Sequence, residues 1–238
     1  THYFILACRL SMEHILLKIS IMLVPALLAV TLHEVAHGFI ADKFGDPTAR
    51  LLGRLTLNPI KHLDPIGTIA LLVFGFGWAR PVPVNPNNLR RAQKDMIWVS
   101  LAGPSANLML ALFCALLLRV VVYVAAMLPE GSEILPLINP IGLMAAFGLY
   151  INIILCLFNL LPIPPLDGGR VLMGLVPERQ AQMLRRVEPF GMLLIVFLIF
   201  GTSIWRTTFG PAVHHVVALM AGPHIDVVEQ TMRLLFYK

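Results

Sequence analysis

The sequence predicts an all-α integral membrane protein of about four transmembrane helices, with a re-entrant or extended β-like loop between the first and second. Two observations carry that reading. Of 238 residues, 58% are hydrophobic and 13% charged, and the mean hydropathy is +0.80; a soluble globular domain is nearer roughly 45–50% apolar and about 25% charged. Four stretches also reach or approach the roughly 20 apolar residues that a bilayer crossing requires.

The first stretch is 15–40, "ILLKISIMLVPALLAVTLHEVAHGFI", with Pro25 placed to kink it. Before it, "THYFILACRLSMEHILLKIS" lacks a small-residue cleavage site, and Met12 offers an alternative start that would make residues 1–11 an extension. The connection 41–95 is rich in Gly, Pro and Asn. Its apolar run 66–77, "IGTIALLVFGFG", is too short to span and suits a re-entrant or interfacial element. The prolines of "WARPVPVNPNN", 78–88, forbid helix and favour extended backbone. The second span is 96–118 and the third 141–161, joined by too few residues to hold a folded domain. The fourth, 189–205, is short, and 207–238 could lie on the membrane surface as amphipathic helix. Residues 1–238 therefore read as a single polytopic membrane domain.

The net charge of +5 is read through loop placement and gives no indication of a nucleic-acid partner. Twelve Lys and Arg residues fall in 41–95 and in the segment after the third span, against six on the other side. That bias puts the first connection in the cytoplasm and both chain ends outside. Cys8, Cys114 and Cys156 lie far apart in apolar surroundings, with neither metal-ligand spacing nor a disulfide pattern.

Within the first span stands "TLHEVAHGFI". Ionisable groups are expensive in lipid and mark function. His33 and His37 are one helical turn apart, so both rings can face one zinc ion, and Glu34 beside them can take a proton from an attacking water. By composition a chance HExxH occurs in roughly one such chain in a hundred, so the motif alone does not decide. Zinc catalysis needs a third protein ligand and an open position. His33 lies about 10 Å from the inner end of its span at 1.5 Å per residue. "FNLLPIPPLDGGR", 158–170, follows the third span near the same face and carries Asp167, the sole aspartate between Asp95 and Asp226. An Asp-Gly turn capping the next helix is an equally good reading of Asp167 from spacing alone.

His33-Glu34-Val35-Ala36-His37, together with Asn159 to Gly168, "NLLPIPPLDG", resembles the two signature motifs of the site-2 proteases, intramembrane zinc metalloproteases. "GPSAN", Gly103 to Asn107, resembles the family's small-residue and Asn motif, and "GWARPVPVNP" the extended loop of its compact bacterial members, which lack PDZ and CBS domains. The resemblance implies one Zn2+ per chain held by His33, His37 and Asp167, with Glu34 as general base. It also implies a multi-pass protein of the cell membrane, acting on transmembrane protein substrates in the bilayer, with its active site toward the cytoplasm.

Asn107 and Asn159 are candidates for oxyanion stabilisation, the plainer alternative for each being a hydrogen bond between helices. Gly103 and Ser105 suit close helix packing. His62 and Asp64 suit a surface turn, and the adjacent His214 and His215 cannot share a helical face. Pro81, Val82, Pro83 and Val84 are candidates for substrate contact: the prolines hold the chain extended, and the valine N–H groups can pair with an unwound substrate strand. A transporter or metal sensor would carry ionisable groups deep in the later spans, which have none; an inactive helix-binding scaffold would not need Glu34.

Overall fold

The computed structural model describes residues 2–67, 78–129 and 132–236, and side chains from residue 16 onward. Helix α1 (His2–Lys43) carries a span, Leu16–Lys43. Its inward stripe is Ile21, Pro25, Ala29, His33, His37 and Ala41, all buried, one every four residues. Positions four apart share a helix face, so the residues that pack α1 into the bundle also aim both imidazoles inward. Leu23, Val24, Leu28 and Phe39 are exposed on the remaining surface. In lipid, apolar exposure of this kind is the expected state.

A single turn, α2 (Thr48–Leu51), follows, and α3 (Ala92–Met127) is the second span. Its buried face is Gly103, Asn107, Ala111, Cys114, Ala115 and Leu118; Leu108, Met109, Leu112, Phe113 and Leu116 face outward. Helix α4 (Leu135–Asn159) is the third span, packed through Gly142, Ala145, Ala146, Gly148 and Leu149. Small residues let membrane helices approach closely, which replaces the hydrophobic drive that lipid cannot supply. At Gly148 a β-carbon would stand 2.7 Å from the Cys114 sulfur, so α3 and α4 meet there backbone to side chain.

After the break "LPIPPL" comes α5 (Asp167–Leu175). Then α6 (Glu178–Phe200) bends by 72° into Trp205–Phe236, which includes α7 (Gly210–Ala221) and α8 (Ile225–Phe236). Among the described residues, three helices are long and apolar enough to cross a membrane, and the bent pair makes a fourth candidate. The fourth span expected at 189–205 is therefore part of a longer, bent unit that begins at Glu178. The C-terminal stretch packs against the bundle. Val213, Val217, Ala221 and Val228 join the core formed by Ala111, Cys114, Ala145, Ala146 and Leu149, and Arg119 donates to the Met220 carbonyl.

Of the apolar run 66–77, residues 68–77 lie outside the described residues. The flanks agree with an extended connection. Leu63 and Ala79 form an isolated antiparallel bridge, and Arg80 donates its N–H to His62 O at 2.9 Å. There is no regular strand among the described residues. His62 closes the 3-10 turn Pro59–His62, whose neighbours Ile60 and Leu63 are exposed, but its own side chain is fully buried, its Nε2 at 2.8 Å from Thr56 O.

Asp46, just past the end of α1, fastens residues 85–88 to that helix. Its buried carboxylate accepts from Asn85 N at 2.6 Å, Asn88 Nδ2 at 2.9 Å, and both the N–H and hydroxyl of Thr48. Burial pushes its pKa up, but the hydrogen bonds from Thr48, Asn88 and Asn85 outweigh that, and the net direction is down. A depressed folded value contributes stability above the unfolded carboxylate range, about pH 4, and loses it as pH falls through the folded value. Asp46→Ala is accordingly expected to lower the thermal midpoint of the detergent-solubilised protein at pH 7, through a loss of about 1–3 kcal/mol. The gap from wild type should narrow as the pH is taken below about 4. A pH-independent gap would show that the carboxylate charge has no part in it.

Candidate metal centre

His33, His37 and Asp167 converge inside the bundle, all buried. The two Nε2 atoms are 3.0 Å apart, and each is 3.2 Å from Asp167 Oδ2. Tetrahedral zinc with bonds of about 2.0–2.1 Å sets neighbouring ligand atoms about 3.3 Å apart, which is close to this triangle.

Hydrogen bonding behind the rings tests the fit independently. His37 Nδ1 lies 2.7 Å from the carbonyl of Val99, which can only accept; Nδ1 must therefore hold the proton. His33 Nδ1 lies 2.6 Å from Asn107 Oδ1, again an acceptor. With both neutral rings protonated at Nδ1, both Nε2 atoms present bare lone pairs. Asp167 Oδ2 is a third acceptor at the same point and has no hydrogen-bond donor of its own. Three acceptors facing one another in a buried site repel unless a cation sits among them, so the donor set fits a divalent metal taking two imidazoles and a carboxylate.

Gly103 gives the space. A β-carbon there would lie 2.4 Å from His37 Nε2 and 2.6 Å from His33 Nε2. The glycine of "GPSAN" thus borders the Nε2 atoms of both histidines, beyond the packing role its motif suggested. Ser105 is exposed on the same helix.

Asp167 is set at the first turn of α5 by close backbone packing. A β-carbon at Gly168 would stand 2.3 Å from Leu160 O, and one at Gly169 would stand 2.3 Å from Pro164 N. The proline-rich break therefore folds directly under the helix start. At the other end of α5, Gln93 of α3 donates to the carbonyls of Met173 and Val176, satisfying two groups that a helix terminus leaves open. Asp167 is thus the third member of the cluster and not merely a turn cap.

Glu34 is half-buried, and its Oε2 accepts the N–H of Val82 at 2.7 Å. Gly38, one turn further along α1, makes the approach possible, since a β-carbon there would meet Val82 Cγ1 at 2.8 Å. The expectation that both Val82 and Val84 offer free donors is corrected here: the Val82 donor is engaged by Glu34. Arg54 donates to Arg80 O and steadies the same segment. Pro81 is exposed, and Pro83 and Val84 are half-buried.

Asn107 stands behind His33 with both amide hydrogens committed, to Ala29 O at 3.2 Å and to Asn152 Oδ1 at 2.9 Å. It holds the His33 ring and has no donor free for an oxyanion. Asn159 donates to Leu155 O within its own helix at 2.9 Å. His62, Asp64, His214 and His215 take no part in the cluster. Asn152 is the residue the sequence reading passed over; an asparagine in an otherwise apolar span was the available signal.

Comparison with known proteins agrees with this geometry. The profile described as Peptidase family M50 matches residues 132–202, which include Asp167. The Bacillus subtilis (strain 168) protein named "Putative zinc metalloprotease YwhC" is 46% identical over 75% of this chain and 78% of its own length. The Mycolicibacterium smegmatis protein named "Putative zinc metalloprotease Rip2" is 33% identical over 77% of this chain and 68% of its own. No solved structure matches.

Gly103→Ala is expected to abolish stoichiometric zinc in the purified protein. Neither ring can retreat without giving up the hydrogen bond at its Nδ1. Ser105→Ala, on the exposed face, should keep its zinc. Elemental analysis of both variants decides, and full occupancy in Gly103→Ala would mean the rings are free to move.

Proposed function

This chain belongs to peptidase family M50, the zinc metalloproteases of the site-2 type, and on that premise we propose that it is an intramembrane endopeptidase that hydrolyses peptide bonds within or beside transmembrane segments of other proteins. The observation that carries the reading is the meeting of His33, His37 and Asp167 inside a bundle of apolar spans, with Glu34 next to them. We assign His33, His37 and Asp167 as ligands of one zinc ion per chain and Glu34 as the general base.

Bound there, zinc supplies a Lewis acid that polarises the scissile carbonyl and acidifies water. The chain supplies the rest. Glu34 takes the proton of the attacking water and delivers it to the leaving amine. Asn107 and the Val99 carbonyl hold the imidazoles so that their lone pairs face the metal. The surrounding helices keep bulk water away, which strengthens every charge interaction in the site.

A helical substrate must unwind before it is cut, and its freed backbone groups then need partners. Extended N–H groups two residues apart share an edge, so the edge of 81–84 that carries Val82 and Val84 is turned toward Glu34. A substrate strand laid on that edge would take over the Val82 donor and lie against the base. The active site is proposed to open toward the cytoplasm with both termini outside, because the Lys and Arg residues concentrate in 41–95 and after the third span. Residues 1–238 are proposed to act as one membrane domain.

Glu34→Gln should retain zinc and lose proteolysis of a transmembrane substrate by at least 10²–10⁴-fold, roughly the worth of a general base. Asp167→Ala should lose zinc, whereas Asp64→Ala should not. Cleavage near the wild-type rate by Glu34→Gln would remove it as the base, and unchanged metal content in Asp167→Ala would remove that residue from the ligand set.

A further inference from the structure

Asn152 is fully buried in the middle of α4 and makes no hydrogen bond to His33, His37 or Asp167. Its one cross-helix partner is Asn107 on α3, through which it reaches the metal centre.

An asparagine amide has an acceptor end and a donor end, and rotation by half a turn exchanges them. Which end Asn107 shows to His33 decides the state of that ring. With Oδ1 toward His33, Nδ1 holds the proton and Nε2 is bare. With the amide nitrogen toward His33, Nδ1 has to accept, the ring proton moves to Nε2, and the ligand atom is capped by hydrogen. His33 by itself is content with either arrangement, so the choice is made on the far side of Asn107.

Two acceptors make it. Asn107 Nδ2 donates to Ala29 O at 3.2 Å and, more tightly, to Asn152 Oδ1 at 2.9 Å. Asn152 is itself held one way round, because its Nδ2 donates to Gly148 O at 2.8 Å, and a carbonyl can only accept. Every proton from Gly148 to His33 therefore has a single direction. A flipped Asn107 would set its oxygen against two other oxygens, at a depth where no water can intervene. Gly148 contributes twice: its carbonyl anchors the series, and its missing side chain brings α4 close enough to α3 for the two amides to meet.

We propose that Asn152 is a positioning residue of the metal centre, fixing the amide orientation of Asn107 and, through it, the His33 tautomer that leaves Nε2 free for zinc. This rests on the ligand set proposed above. A purely structural bond between α3 and α4 would stabilise the bundle but leave the tautomer and the metal affinity unmoved.

The test uses the full chain in detergent with 15N-labelled histidine, stripped of metal and then titrated with zinc against a chelator. Asn152→Leu, which removes the acceptor, should weaken zinc binding by about 10–100-fold, the usual effect of losing a partner behind a ligand. In the metal-free protein, one imidazole should shift from the Nδ1-protonated form toward a mixture. Asn152→Asp, whose neutral acid keeps an acceptor for Asn107 and a donor for Gly148 O, should restore both readouts. The proposal is overturned if Asn152→Leu keeps wild-type affinity and tautomer, or if Asn152→Asp fails as badly as Asn152→Leu. Should wild type itself take up no zinc, the ligand set fails, while the metal-free tautomer measurement still decides the role of Asn152.

Discussion

Three acceptor atoms held against one another in a buried site are the constraint on which the rest of this molecule depends. His33 Nε2, His37 Nε2 and Asp167 Oδ2 lie within 3.2 Å of one another, and with both rings neutral and Nδ1 of each engaged from behind, no proton separates them. Such a cluster is tolerable only with a cation inside it and rigid packing around it. The regular stripe of α1, the small residues of α4 and the bare backbone of Gly103 supply that rigidity.

The site is assembled from elements of different character. The histidines come from a long helix whose inward face is fixed by packing. The carboxylate comes from a short helix, α5, clamped at both ends: Gly168 and Gly169 press on the backbone of 160–164, and Gln93 closes the far end. Glu34 faces a segment with no regular structure, held by Asp46, Arg54 and the His62 carbonyl. The candidate metal-site residues thus sit on stiff supports, while the part proposed to receive substrate is tethered by a few discrete bonds, an arrangement common where binding loops are carried on a rigid scaffold.

Much of this could be read from the chain. HExxH spacing named the paired histidines, because a helix has one periodicity and the pattern obeys it. Asp167 was within reach because span lengths fix depth and no rival aspartate lies nearby. For Asn107 the plainer reading, a hydrogen bond between helices, and for Gly103 close helix packing agree with the structure; their approach to the histidines was not legible, because the direction of an amide and the clearance above a glycine are set by a partner helix that the local sequence does not mention. Val99 acts through its carbonyl, which every residue has, so no pattern could single it out. The full extent of the bent unit from Glu178 onward escaped a search for continuous apolar runs because its first residues, 178–188, are charged and a break at 201–204 separates its two halves.

The order of the ligands along the chain has a consequence in time. His33 and His37 leave the ribosome early; Asp167 follows about 130 residues later, which at roughly 5–20 residues per second takes on the order of ten seconds. Through that interval the nascent chain holds only two of the three ligands proposed here, and α1 has neither α3 nor α4 to orient its rings. The centre cannot close until the third span is in place and the chain has turned back through its proline break. A protease built this way needs no removable pro-segment to stay inert while it is being made, because its own topology withholds the last ligand until the membrane domain is nearly complete.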